Sequence, residues 1–87
     1  MKYRIIYLEE VVHKHIPALA SSVKSLVKLA IEAKLMVDPI SFGKPLRYSL
    51  KGYRRLRVND YRIVYRIAIE SKTVLIIAIK HRKEIYE

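Results

Sequence analysis

The sequence predicts an α+β domain in which a two-helix hairpin packs on one face of a small, four-stranded, mostly antiparallel sheet. Three observations predict it. The chain has 87 residues, a length that suits one domain, here residues 1–87. Its middle carries apolar residues at helical spacing. Its second half alternates apolar with basic residues as strands do. The predicted order is strand, helix, helix, strand, strand, strand, which is the pattern of helices segregated to one side of a sheet.

The elements follow in order. "KYRIIYL", Lys2 to Leu8, is rich in tyrosine and isoleucine and reads as the first strand. Glu9 and Glu10 open a short helix through about Ile16, since acids favour the positive helix N-terminus. Pro17 stops it. A longer helix runs from Ser21 or Ser22 to Met36, with serine as its N-cap. Val23, Leu26, Val27, Ala30, Ile31 and Leu35 form its buried stripe. Pro39 ends it by pushing Asp38 out of the helical region. "ISFGKPLRYSLKG" reads as a loop punctuated by Gly43, Pro45 and Gly52. Strands follow at about Tyr53–Val58, Tyr61–Ile69 and Thr73–Lys80. Asn59-Asp60 makes the first turn between them, because both residues tolerate positive φ. "ESK" makes the second. "TVLIIAI" is apolar throughout and reads as a central strand covered on both faces.

Composition narrows the function classes. There is no cysteine, so neither a disulfide framework nor a thiolate metal site is possible. The longest apolar run, Val74–Ile79, is far too short to span a bilayer. No secretory h-region appears, and a reducing, cytoplasmic location is expected. The net charge is +10, and it is lopsided: twelve basic and four acidic residues lie from Lys44 onward, against six and four before. Lys44, Arg47, Lys51, Arg54, Arg55, Arg57 and Arg62 fall in one stretch where Asp60 is the only acid. Such a patch reads as a polyanion site, as a solvated solubilising surface, or as a docking face for an acidic protein.

Strand register sharpens that choice. In Tyr61–Ile69 the core face is Tyr61, Ile63, Tyr65, Ile67 and Ile69, and Arg62, Val64, Arg66 and Ala68 point the other way. A two-residue turn at Asn59-Asp60 pairs Val58 with Tyr61, Arg57 with Arg62, Leu56 with Ile63 and Arg55 with Val64, and sets Tyr53 against Arg66. Arg55, Arg57, Arg62 and Arg66 then share one face. Arg54 falls on the apolar face opposite Tyr65, where its stem can snorkel to the sheet edge. Directly opposed arginines destabilise a ladder. Their planar forks suit phosphate oxygens, so an anionic ligand is the expected compensation, set against the alternatives that Asp60, Glu84 or Glu87 neutralises part of the cluster or that salt screens it.

The tail "KHRKEIYE" brings Lys80, His81, Arg82, Lys83 and Tyr86 next to that face. If Thr73 lies opposite Ile69, Lys80 lands beside Arg62; a slip of one residue puts His81 there. His81 reads either as an acid–base group or as an ordinary surface histidine. His13 and His15 are two apart, share no helix face, and read as structural or exposed. No metal-ligand set, carboxylate pair, Ser-His-Asp set or glycine-rich phosphate loop is evident, and no cofactor is expected. Cleavage of RNA by its own 2′-OH needs less: a group to hold the phosphate, positive charge for the transition state, and a route for protons.

"FGKPLRYSLKGYRRLRVNDYRIVYRI" followed by "VLIIAIKHRKEIYE" resembles the RelE toxins of bacterial and archaeal toxin–antitoxin systems, and the likeness covers essentially the whole chain. The resemblance implies a RelE-like fold and a ribosome-dependent endoribonuclease that cuts mRNA in the ribosomal A site and halts translation. It implies an acidic RelB-like antitoxin that covers the basic face. It also implies Arg55, Arg62, Arg82 and Tyr86 as catalytic residues, with His81 at the position of the "HR" variants. In these roles Arg62 and Arg82 clamp the scissile phosphate and Arg55 adds charge. Tyr86 stacks on a base or accepts a proton, and His81 protonates the leaving 5′-oxygen. Lys44, Arg47, Lys51, Tyr53, Arg57, Arg66, Lys80 and Lys83 would bind RNA. Two departures stand out: Tyr53 replaces a lysine of some members, and Lys80 replaces a common glycine. The rivals are a ParE-like gyrase-poisoning toxin, which lacks the terminal His-Arg…Tyr set, and a non-catalytic RNA- or ribosome-binding module. A binder of anionic membranes is disfavoured, because no basic amphipathic helix stands out.

Overall fold

The computed structural model describes residues 2–47 and 51–84. Strand β1 (Arg4–Tyr7) is followed by a helical turn at Val11–His15 and by helix α1 (Ser21–Ala30), which continues as a wider turn over Ile31–Leu35. Then come β2 (Lys44–Pro45), β3 (Arg54–Val58), β4 (Tyr61–Ala68) and β5 (Thr73–His81), with a short 3-10 turn at Arg82–Glu84. The sheet order is β1-β5-β4-β3-β2. β1 runs parallel to β5 and the other pairs are antiparallel.

Among the described residues the sheet therefore has five strands rather than the expected four. The extra one is Lys44–Pro45, inside the segment that reads as a loop. It pairs with Arg54 and Arg55 at the sheet edge, where a proline's missing N–H is tolerated.

Both helical segments widen. Ile16 N–H donates to Val11 O at 2.9 Å and Met36 N–H donates to Ile31 O at 2.9 Å, each reaching five residues back. Serine is not the cap expected for α1: Ala20 occupies that position in extended conformation, with no side-chain cap bond. The buried stripe is narrower than the spacing predicts. Val27, Ile31 and Leu35 are buried, while Leu26 is 41% exposed. Asp38 N–H still donates to Lys34 O, so the last turn closes just before Pro39.

The core lies between this helical layer and one face of the sheet. Val11, Leu19, Val27, Ile31 and Leu35 meet Tyr3, Leu56, Ile63, Tyr65, Val74, Ile76 and Ile79 there. The expected core residue Ile69 is instead 58% exposed, because β4 ends at Ala68 and Ile69 opens the turn. Thr73 pairs with Ala68, not Ile69. A bulge between Val64 and Tyr65 then shifts the register, with Ile77 as the unpaired residue opposite them. That extra residue lets Val74, Ile76 and Ile79 all face the core, which strict alternation forbids.

The remaining loop is pinned from beneath. The Tyr65 hydroxyl sits 2.8 Å from the carbonyl oxygens of both Pro39 and Phe42. Arg54 Nη2 donates to Ile40 O at 2.6 Å and to Gly43 O at 3.3 Å. Its guanidinium thus escapes the apolar face by reaching loop carbonyls. Gly43 has φ +83, and a Cβ there would collide with Tyr65 Oη and Arg55 O.

Candidate nucleic-acid interface

The β3–β4 turn sets the geometry of the open face. Asn59 takes φ 53, a left-handed conformation that asparagine tolerates, and the two-residue turn pairs Val58 with Tyr61. Every further pair follows: Arg57 with Arg62, Leu56 with Ile63, Arg55 with Val64 and Arg54 with Tyr65. On β5 the bulge restores Lys80 opposite Arg62 and His81 opposite Tyr61. Arg57, Arg62 and Lys80 therefore form one row across three adjacent strands, which lie about 4.8 Å apart. Lys44 extends the charge to the sheet edge beside Arg55.

Among the described residues, two carboxylates reach the end of this charged surface. Lys80 Nζ approaches Glu84 at 4.0 Å and Arg82 Nε approaches Asp60 at 3.8 Å, both in exposed pairs. Exposed pairs of this kind contribute about 0–1 kcal/mol. Val64, on the same face, is nevertheless only 6% exposed. It lies between Arg62 and Arg66 along its strand and beside Arg55, whose aliphatic stems can cover such a residue. Arg66 lies over the Tyr53 ring, 5.4 Å from its centroid, so the expected facing of these two residues becomes a cation–π contact.

Arg82 sits at the end of β5 against the β3–β4 turn, its N–H donating to Asp60 O at 2.7 Å. Lys83 is exposed in the same turn, and Arg47 and Lys51 are exposed on the segment before β3. Tyr86 lies outside the described residues.

His81 lies away from the arginine row. The sequence leaves two registers open, Lys80 or His81 beside Arg62, and the proton-donor role of His81 is what the resemblance implies. Its partner in the ladder is Tyr61, a residue of the helix-covered face, and paired residues point to the same side. The two rings meet edge to face at 5.3 Å. His81 Nδ1 accepts the Lys83 N–H at 3.2 Å. Lys80, not His81, stands next to Arg62. One residue of register decides this, because a single step moves a side chain to the other face.

Of the two readings open for His15, structural or exposed, the structure gives the first: its Nδ1 accepts the Ile79 N–H at 3.2 Å. No local signal announces a bond between residues 64 positions apart.

The comparisons agree with this architecture. The family model for the ParE toxin of type II toxin-antitoxin systems, parDE, matches residues 11–86. Toxin RelG of Mycobacterium tuberculosis is 45% identical over 49 residues, so the match spans 56% of each chain, about half the length of that relative. The toxin-antitoxin complex RelBE2 of Mycobacterium tuberculosis superimposes with a TM-score of 0.87 and 29% identity, over 94% of this chain and 100% of that one. The archaeal RelE-RelB complex of Pyrococcus horikoshii shares the fold at TM-score 0.72 and 23% identity, over 98% and 100% of the two chains. A five-stranded mixed sheet under one long helix, an open arginine face and a family match over most of the chain converge: this chain belongs to the ParE toxin family and is a type II toxin of the RelE/ParE superfamily.

Proposed function

We propose that the chain is a ribosome-dependent endoribonuclease that cleaves mRNA in the ribosomal A site. The observation that carries this reading is the row Arg57, Arg62 and Lys80, an arrangement that costs ladder stability and suits a phosphate. The reaction needs no cofactor. The substrate 2′-oxygen attacks the adjacent phosphorus, the P–O5′ bond breaks, one proton leaves the 2′-OH and another arrives on the 5′-oxygen. Arg62 and Arg82 hold the phosphate and stabilise its developing charge, and Arg55 and Arg57 add to that field. Pairing with Arg62 supports giving Lys80 the contact with the leaving 5′-oxygen, a role that the resemblance assigns to His81. Tyr86 keeps the stacking or proton-accepting role that the family resemblance implies. Lys44, Arg47, Lys51, Tyr53, Arg66 and Lys83 guide flanking RNA. On this reading residues 1–87 form one cytoplasmic toxin domain, and its partner is an acidic RelB-like antitoxin that neutralises the open face.

A second reading, a gyrase-inhibiting toxin, is favoured by the ParE name of the matching family model. Primer extension on mRNA with and without ribosomes, run beside a gyrase supercoiling assay, separates the two. Codon-internal cuts that require ribosomes, with gyrase unaffected, support the endoribonuclease. Intact mRNA with inhibited gyrase overturns it.

A further inference from the structure

β5 is held differently along its length. From Thr73 to Ile76 it lies between β4 and β1, with Leu8 N–H closing the parallel pairing onto Ile76 O at 3.2 Å. Beyond Ile76 β1 has ended, and the next amide facing that open edge is Ile79, just past the bulge. A buried main-chain N–H without an acceptor is costly. The acceptor here is an imidazole: His15 Nδ1 receives the Ile79 N–H at 3.2 Å. His15 stands where a longer β1 would otherwise supply a carbonyl.

The next three residues after Ile79 are Lys80, His81 and Arg82. His15 also shares with Tyr61, Lys80 and His81 the wall of one cleft of about 290 Å³. We propose that His15 is a positioning residue: by capping the Ile79 amide it fixes the end of β5 and so aims Lys80 and Arg82 at the open face. The functional half of this inference rests on the endoribonuclease reading; the capping half does not.

The cap depends on protonation. A neutral imidazole can accept at Nδ1, whereas the imidazolium has donors on both nitrogens. Burial, then the charge of Lys80, holds the His15 pKa below its usual value. Among the described residues, the other charged and titratable groups facing it are Glu10 and Lys14 from its own segment, Tyr61 from β4, His81 from β5 and Glu84 from the terminal turn. Because the folded value is the lower one, the cap is fully present above the ordinary histidine range and is lost as pH falls through the folded pKa.

Amide hydrogen exchange at Ile79 tests the cap, and ribosome-dependent cleavage tests its consequence. Asparagine can offer Oδ1 near the place of Nδ1; phenylalanine cannot. His15→Phe is expected to speed Ile79 exchange at pH 7.5 roughly tenfold, the scale of one hydrogen bond, and to lower kcat more than KM. His15→Asn is expected to restore both and to abolish the acid-side loss of protection expected of the wild type. Equal Ile79 protection in all three proteins overturns the cap, whatever the cleavage result. Loss of protection in His15→Phe with unchanged kcat overturns the positioning role. If the wild type itself does not cleave, the endoribonuclease reading fails, and the positioning role fails with it, while the cap stands on the exchange data.

Discussion

The two faces of the sheet obey opposite rules. The helix-covered face pairs Leu56 with Ile63 and Ile63 with Ile79, and every one of these residues is buried. The open face pairs Arg57 with Arg62 and Arg62 with Lys80. Apolar cross-strand pairs stabilise a ladder, and directly opposed cations weaken it. The same strands therefore carry both sets, and the register that buries the isoleucines is the one that aligns the cations. The lesson is that the open face is not built for stability; the covered face carries that burden so that charge can be collected opposite it.

Substitutions on the covered face should cost most. Ile76 is fully buried, and Ile76→Ala is expected to lower unfolding free energy by about 2–5 kcal/mol, read from urea denaturation. Tyr65→Phe leaves the Pro39 and Phe42 carbonyls without the hydroxyl they share. Its expected cost is about 1–3 kcal/mol, with faster proteolysis in the loop at residues 39–43. On the open face the sign should reverse. Arg57→Thr removes one of two opposed cations and should raise stability towards urea, by about 0.2–1 kcal/mol. The same variant should flatten the salt dependence of single-stranded RNA binding, with the slope of log K against log salt falling by about 0.7 for each phosphate no longer neutralised. A destabilised Arg57→Thr with an unchanged salt slope would mean that the charge row is structural.

The sequence revealed the covered face and the cation pairing for a simple reason. A two-residue turn at Asn59-Asp60 leaves only one register that keeps Leu56 opposite Ile63, so Arg57 facing Arg62 follows. Other features had no such anchor. Val74–Ile79 is apolar at every position, so nothing in it marks Ile77 as a bulge, and the face taken by His81 hangs on that bulge. Lys44-Pro45 is too short and too proline-rich to read as a strand. Leu26 fits an ideal α-helical stripe yet is exposed, while the core takes Val27, Ile31 and Leu35 from that stretch with Val23 and Ala30 packed against it. His15 depends on an amide that only the fold brings near.

The central claim is that the cation row serves catalysis and not folding. Arg62→Met tests it most directly, because methionine keeps an aliphatic stem over the sheet while removing the charge. Urea unfolding and ribosome-dependent mRNA cleavage would be measured on one preparation. The account predicts a folded protein with a cooperative urea transition and cleavage reduced by about 10²–10³-fold. Undiminished cleavage, or a loss of activity that only tracks a loss of folded protein, would contradict it.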